Sequence, residues 1–150
     1  GGTTTPGAGQ LVARVAVVID TPQSASSTSL HFAVGPDDTA IALGSGDLPV
    51  LATPRLIAWC ESACVAVLQL TGDKTSVGTR VEVEHVGAAS LESRIRVTAT
   101  TSYQEGRLIR FEVVAEAFTD LNPAPVRLLH GTMTRVIVDR ERFMARLQSR

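Results

Sequence analysis

The chain has 150 residues, with 14 Lys and Arg against 15 Asp and Glu. The resulting net charge of −1 argues against an electrostatic nucleic-acid binder and gives no reason to invoke a membrane surface. Such a length makes one domain with room for a real core, built mostly from Val, Leu, Ile and Ala because aromatics supply only 4% of residues.

The opening GGTTTPGAGQ is Gly/Thr-rich and aperiodic, and reads as a disordered or tag-derived lead. Leu11 to Ile19, LVARVAVVI, is β-branched and predicts a strand. TPQSASSTS after it reads as a flexible connection. LHFAV and DTAIAL flank a Gly-Pro-Asp-Asp turn and predict two short strands, and GSGDLP is a tight loop delivering the chain into a helix. Residues 1–29 are therefore expected to form a partly flexible lead that can hold an extra strand, with residues 30–150 as the folded domain.

Thr53 to Leu68, TPRLIAWCESACVAVL, predicts one long helix. Thr53 is a good N-cap, and Pro54 suits the first helical position, where no intrahelical hydrogen bond is lost. At about 100° per residue, Leu56, Ile57, Cys60, Cys64, Val67 and Leu68 fall on one broad arc. Glu61 lies inside that arc. A buried carboxylate needs a partner or a proton, so the rest of the chain should supply one or the other. TGDKTSVG ends the helix, with Gly72 near the stop.

From Thr79 the period changes to two. Val81, Val83 and His85 share one face of TRVEVEHVG; Arg80, Glu82 and Glu84 share the other. Ile95, Val97 and Ala99 align in RIRVTAT. After a Gln104-Glu105-Gly106 turn, Ile109, Phe111, Val113 and Ala115 alternate with Arg110, Glu112, Val114 and Glu116. A last strand runs from about Val126 to Val138, and ERFMARL reads as a short terminal helix. Strands with one apolar and one mostly charged face belong to an antiparallel sheet covered on one side. The one long helix is available to cover it, so the fold class is α+β: a curved antiparallel sheet wrapped on a central helix.

Cys60 and Cys64 lie one helical turn apart and project the same way, a poor geometry for a mutual disulfide. Three scattered histidines do not complete a metal site, so the thiols read as buried and reduced, in keeping with a cytoplasmic protein. No apolar run is long enough to span a bilayer, and no charged segment followed by an apolar one reads as a secretory signal. His85 raises the same question as Glu61, since it sits on the strand face that should meet the helix. Each alone fits a structural role: His85 as a core histidine hydrogen-bonded to backbone, Glu61 as its partner or reaching water at an edge. Together they point to a site, because clefts collect perturbed acid/base pairs. Thr53 and Glu61 are separated by roughly 12 Å along a straight helix, so the two meet only through a substrate, a folded-back loop or a second subunit.

The segments GDLPVLATPRLIAWCESA, TSVGTRVEVEHVGAA, EGRLIRFEVVA and HGTMTRVIVDRERF, in this order and with similar gaps over roughly residues 30–143, resemble the hotdog-fold thioesterase family that includes fluoroacetyl-CoA thioesterases. The resemblance implies a hotdog fold, a homodimer with sites at the subunit interface, and acyl-CoA thioester hydrolysis. It also implies a catalytic set of Thr53 in LATP, Glu61 in WCESA and His85 in VEHVGA. Gly78 in SVGT matches the glycine that approaches the thioester carbonyl. No metal and no cofactor is implied, coenzyme A being part of the substrate. The segment ahead of GSGDLP is shorter than the fluoroacetyl-CoA enzyme's lid region and lacks a gating phenylalanine. Met133 stands where the family's GTH-x-R pattern has a histidine, and LNPAPV enlarges the preceding turn.

Under that resemblance Glu61 is the nucleophile or the general base toward water, and His85 orients it or protonates the leaving thiolate. A backbone N–H near Gly78 is the candidate oxyanion donor, and Thr53 positions carbonyl or water. Arg55, Lys74 and Arg80 are the cations considered for CoA phosphates. Two other readings remain: a hotdog module that binds an acyl-CoA or another acyl ligand without turning it over, and a hydratase of similar fold, whose Asp/His signature is not apparent.

Overall fold

The alternation in the second half of the chain builds the sheet. A computed structural model describes residues 14–18, 26–121 and 123–150. In it six strands form one antiparallel sheet: β1 (Arg14–Val18), β2 (Ser27–Ala33), β3 (Lys74–His85), β4 (Arg94–Glu105), β5 (Leu108–Phe118) and β6 (Val126–Asp139). Their order across the sheet is β1-β2-β4-β5-β6-β3. Ile95, Val97 and Ala99 of β4 and Ile109, Phe111, Val113 and Ala115 of β5 point inward and are buried. Arg110 and Glu112 face out. A one-residue slip would reverse both sets, so burial of one face fixes the register.

Helix α2 (Thr53–Leu68) covers the inner face. Its buried side chains are Leu56, Trp59, Cys60, Ala63 and Cys64. This arc is rotated toward Trp59 relative to the expected one, because the indole stacks on Phe32 of β2 with ring centroids 4.4 Å apart and planes 5° from parallel. The rotation leaves Ile57, Val67 and Leu68 only partly buried and puts Glu61 on the flank of the helix. No helix among the described residues is long and apolar enough to cross a membrane.

Four local expectations need correction. DTAIAL does not form a strand: Pro36–Asp38 is a 3-10 turn and Ala40–Leu43 a single helical turn, α1. The Thr39 side chain accepts from the Ala42 N–H to cap it, and only the Thr39–Leu51 bridge keeps extended pairing. Residues Ser27–Ser29 of the expected connection already belong to β2, because the hydroxyls of Ser27 and Ser29 pair across with Thr100 and Thr98. The TSVG stretch belongs to β3, which starts at Lys74. The helix instead closes on Gln69, left-handed at φ 50°, ahead of a turn at Gly72. Thr53 is the first helical residue and not the cap, which falls on Ala52. The terminal helix, α3, spans Arg140–Gln148. The lead 1–10, residues 11–13 and 19 of the first predicted strand, and residues 21–25 of the connection lie outside the described residues.

Candidate functional site

The partner Glu61 requires comes from β6. Arg135 shares the inward-facing parity of Met133 and Ile137, so its guanidinium sits on the helix side of the sheet with only 9% of the residue exposed. Nη1 donates to Glu61 Oε2 at 3.2 Å, Nε to Ser76 Oγ at 2.8 Å, and Nη2 to the Ser76 carbonyl at 3.0 Å. Ser76 lies on β3, so the arginine ties helix, β3 and β6 together. Gly78, on β3 opposite Arg135, completes the arrangement by having no side chain. A Cβ there would stand 2.7 Å from Glu61 Oε2 and 3.3 Å from Arg135 Nη1. Immediately after Gly78 the β3–β6 register slips at a bulge, which takes Thr79 out of the pairing.

These residues line an open groove of about 410 Å³ bounded by Ala58, Glu61, Ser62, Val65, Gly78 and Arg135. The Glu61 side chain remains 36% exposed. An ionised carboxylate held at one oxygen by a guanidinium keeps its remaining lone pairs for a water or substrate.

Thr53 and His85 form a second contact, near the N-terminus of α2 and the end of β3. Thr53 Oγ1 and His85 Nδ1 are 2.7 Å apart. The threonine side chain thus engages the imidazole and does not cap the helix. His85 Nε2 is buried and has no partner among the described residues. Burial holds the His85 pKa below its ordinary value, opposed by the nearby Gly87 backbone, which does not reach hydrogen-bond geometry with the ring. The ring therefore stays neutral near pH 7. If the threonine hydroxyl donates to Nδ1, then Nε2 carries a proton with nothing to receive it. If Nδ1–H donates to the hydroxyl, then Nε2 is an unfilled acceptor.

Within one protomer the two contacts do not merge. Thr53 and His85 do not line the Glu61 groove. Along α2, Thr53 and Glu61 are separated by roughly 12 Å, and along β3, Gly78 and His85 by roughly 23 Å. The structure thus joins Glu61 with Gly78, and Thr53 with His85, as two separate contacts.

Arg135 is the residue that sequence reasoning passed over. It entered only as the end of the Gly131–Arg135 motif, although a cation on the apolar parity of a strand is the same signal that singled out His85. Gly131 in that motif is required by close approach: a Cβ would fall 2.1 Å from the Glu82 carbonyl oxygen. Of the three cations considered for phosphates, Arg55 lies against the buried Asp38 carboxylate at 2.9 Å and Arg80 pairs with Glu82 at 3.1 Å. The Arg55–Asp38 pair is one of distance and not of hydrogen-bond angle, since Arg55 Nε has no aligned acceptor. Among the described residues no group of three or more His, Cys, Asp or Glu is placed to hold a metal ion.

Comparison with known proteins agrees with this architecture. Fluoroacetyl-CoA thioesterase FlK superposes with a TM-score of 0.75 at 25% sequence identity, covering 87% of this chain and 98% of that one. A thioesterase superfamily member from Thermus thermophilus (TM-score 0.74, 20% identity, 87% and 94% coverage) has the same fold. So does a hot-dog-like protein from Thermanaerovibrio acidaminovorans (TM-score 0.72, 19% identity, 85% and 91% coverage). No curated protein sequence matches the chain. The family model for FlK, the fluoroacetyl-CoA-specific thioesterase, matches residues 34–141, and the chain belongs to that hotdog thioesterase family.

Proposed function

We propose that this thioesterase hydrolyses acyl-CoA thioesters at a site assembled from two copies of the chain, with Glu61 of one half-site facing Thr53 and His85 of the other. The observation that carries the reading is the buried, unpartnered Nε2 of His85. Such an atom costs stability unless something fills it, and a substrate atom or a group from a second copy would do so. The free edge of β3 supports the dimer: it is twelve residues long, paired on one side only by β6, and mostly exposed.

In this mechanism Glu61 either takes a proton from water as that water attacks the thioester carbonyl carbon, or attacks the carbon itself to give an anhydride that water then cleaves. A backbone N–H at the Gly78 bulge receives the developing oxyanion. The C–S bond breaks, and the proton that water gives up ends on the leaving thiolate, passed on through the neutral His85 ring, so that Glu61 and His85 are restored as a carboxylic acid and CoA leave.

The test is free-thiol release from short, branched and aromatic acyl-CoAs by wild type and Glu61→Gln. Loss of a positioned acid/base group lowers turnover by about 10²–10⁴. Turnover that survives Glu61→Gln, or saturable acyl-CoA binding with no thiol released from any substrate, would remove the proposed role of Glu61.

A further inference from the structure

The described arginines divide by position. Arg55, Arg80, Arg94, Arg96 and Arg135 each have a carboxylate partner. Arg110 lies over the Tyr103 ring. By contrast Arg107, at the β4–β5 turn, and Arg140, Arg142, Arg146 and Arg150, on and just beyond α3, have no carboxylate partner among the described residues; Arg127, at the start of β6, also has none but stands apart from them. All five belong to one end of the sheet. Arg142 and Arg146 are four residues apart and stack along one flank of the helix, with Arg150 just past its end. Arg107 joins them because its carbonyl accepts from the Ile137 N–H. Lys74 opens β3 directly opposite Asp139, and the Arg140 N–H donates to the Asp73 carbonyl, which brings a sixth cation to the same end.

A recess of about 170 Å³ lies between these groups, lined by Arg107, Arg142 and Arg146 together with Val138, Phe143 and Asp139. A second, open one continues along Phe143, Arg146, Leu147 and Arg150. The acids at this end are Asp73, Glu105, Asp139 and Glu141; Glu105 accepts from the Tyr103 hydroxyl, and Asp139 from the Arg142 backbone N–H as the cap of α3. The surplus is cationic although the chain as a whole is nearly neutral. Fork-shaped guanidinium groups beside an aromatic ring suit phosphates carried by a heterocycle.

Strand β6 links this end to the reaction groove. Arg135 faces Glu61, and Asp139 is four residues farther along, roughly 13 Å at the strand rise. Coenzyme A has its phosphates at the far end of a long pantetheine arm, removed from the thioester in the same sense. Arg107 lies within the span matched by the family model, 34–141, and Arg142 and Arg146 lie just past it.

We propose that the arginine-lined end formed by Arg107, Arg142 and Arg146 is the subsite for the phosphorylated nucleotide of the CoA substrate. This rests on the acyl-CoA reading above. The test uses the full chain and the Arg142→Ala/Arg146→Ala double variant, whose side chains are exposed and whose fold is checked by circular dichroism. Calorimetric titration with adenosine 3′,5′-bisphosphate should show at least a roughly tenfold loss of affinity, the scale of one charge-assisted hydrogen bond. In rate measurements the KM for an acyl-CoA should rise by a similar factor with kcat unchanged, while the same acyl group on pantetheine is hydrolysed as before. Equal effects on both substrates, or bisphosphate affinity that survives the substitutions, would overturn the assignment. So would binding to phosphatidylserine vesicles that disappears in the variant while bisphosphate affinity stands. If no CoA ester is hydrolysed at all, the catalytic reading fails and the bisphosphate titration still decides this one.

Discussion

Glu61–Arg135 and Thr53–His85 are built from the same two layers, helix and sheet, yet they differ in how much each leaves unfinished. The carboxylate meets a permanently charged guanidinium that is itself held by Ser76, so its charge is satisfied inside one protomer. The imidazole meets only a hydroxyl, and its second nitrogen has no partner among the described residues. The acid half-site is thus an assembled electrostatic unit, whereas the imidazole half-site is preorganised on one side only. A helix and two strands can place four groups precisely and still hold them as two separate contacts within one chain.

Gly78→Ala tests the acid side most sharply. The added methyl would displace the Glu61 carboxylate from Arg135, and a misplacement of this order lowers turnover by up to about 10²-fold. Global stability should stay within about 0.5 kcal/mol, because the obstructed atom is the free end of a side chain. Thiol release together with urea unfolding checks this; full activity in Gly78→Ala would show that the carboxylate position is not critical.

Arg135→Ala acts on the same contact through stability. It removes three hydrogen bonds and strands a partly buried carboxylate, for an expected loss of about 2 kcal/mol. Arg135→Lys should recover part of the charge but not the forked contact with Ser76. An unfolding midpoint unaltered in the alanine variant would mean that Glu61 is satisfied by water.

The smallest effect is the pH response of the imidazole side. Above the ordinary His value of 6.5, folded and unfolded chains both hold neutral His85, and nothing is gained or lost. As pH falls below it, the unfolded chain takes up the proton first, so stability declines until the lowered folded value is passed and then levels off. Steps requiring a neutral ring should persist correspondingly below pH 6.5. Comparing unfolding free energies between pH 5 and 8 for wild type and His85→Asn isolates the contribution, and identical slopes would show that burial of this ring is not linked to protonation.

Much of this was legible beforehand. Period-two alternation located β4, β5 and the second half of β3, and the apolar arc located α2, because burial of one face constrains sequence at every second or every third-to-fourth residue. DTAIAL misled because four apolar residues in a row have no period, and a Thr39 cap followed by Gly44 at φ 71° closes them into a turn of helix. Thr53 was expected in the right place with the wrong local role. Capping is a backbone inference, while its hydroxyl is claimed by a histidine 32 positions away. Glu61 was conspicuous as an acid among apolar neighbours, but its partner lay 74 positions downstream, beyond the reach of any local rule. Only the parity of Arg135 on its strand carried that information.

The two cysteines of α2 have a practical consequence. Both sulfurs sit in the apolar core, and burial pushes each thiol up to about 12, so at neutral pH almost none is present as the reactive anion. A chromogenic disulfide reagent added to the folded enzyme will therefore register the coenzyme as it is released, with negligible background from the protein. A sudden rise of two equivalents per chain would report that the molecule had opened.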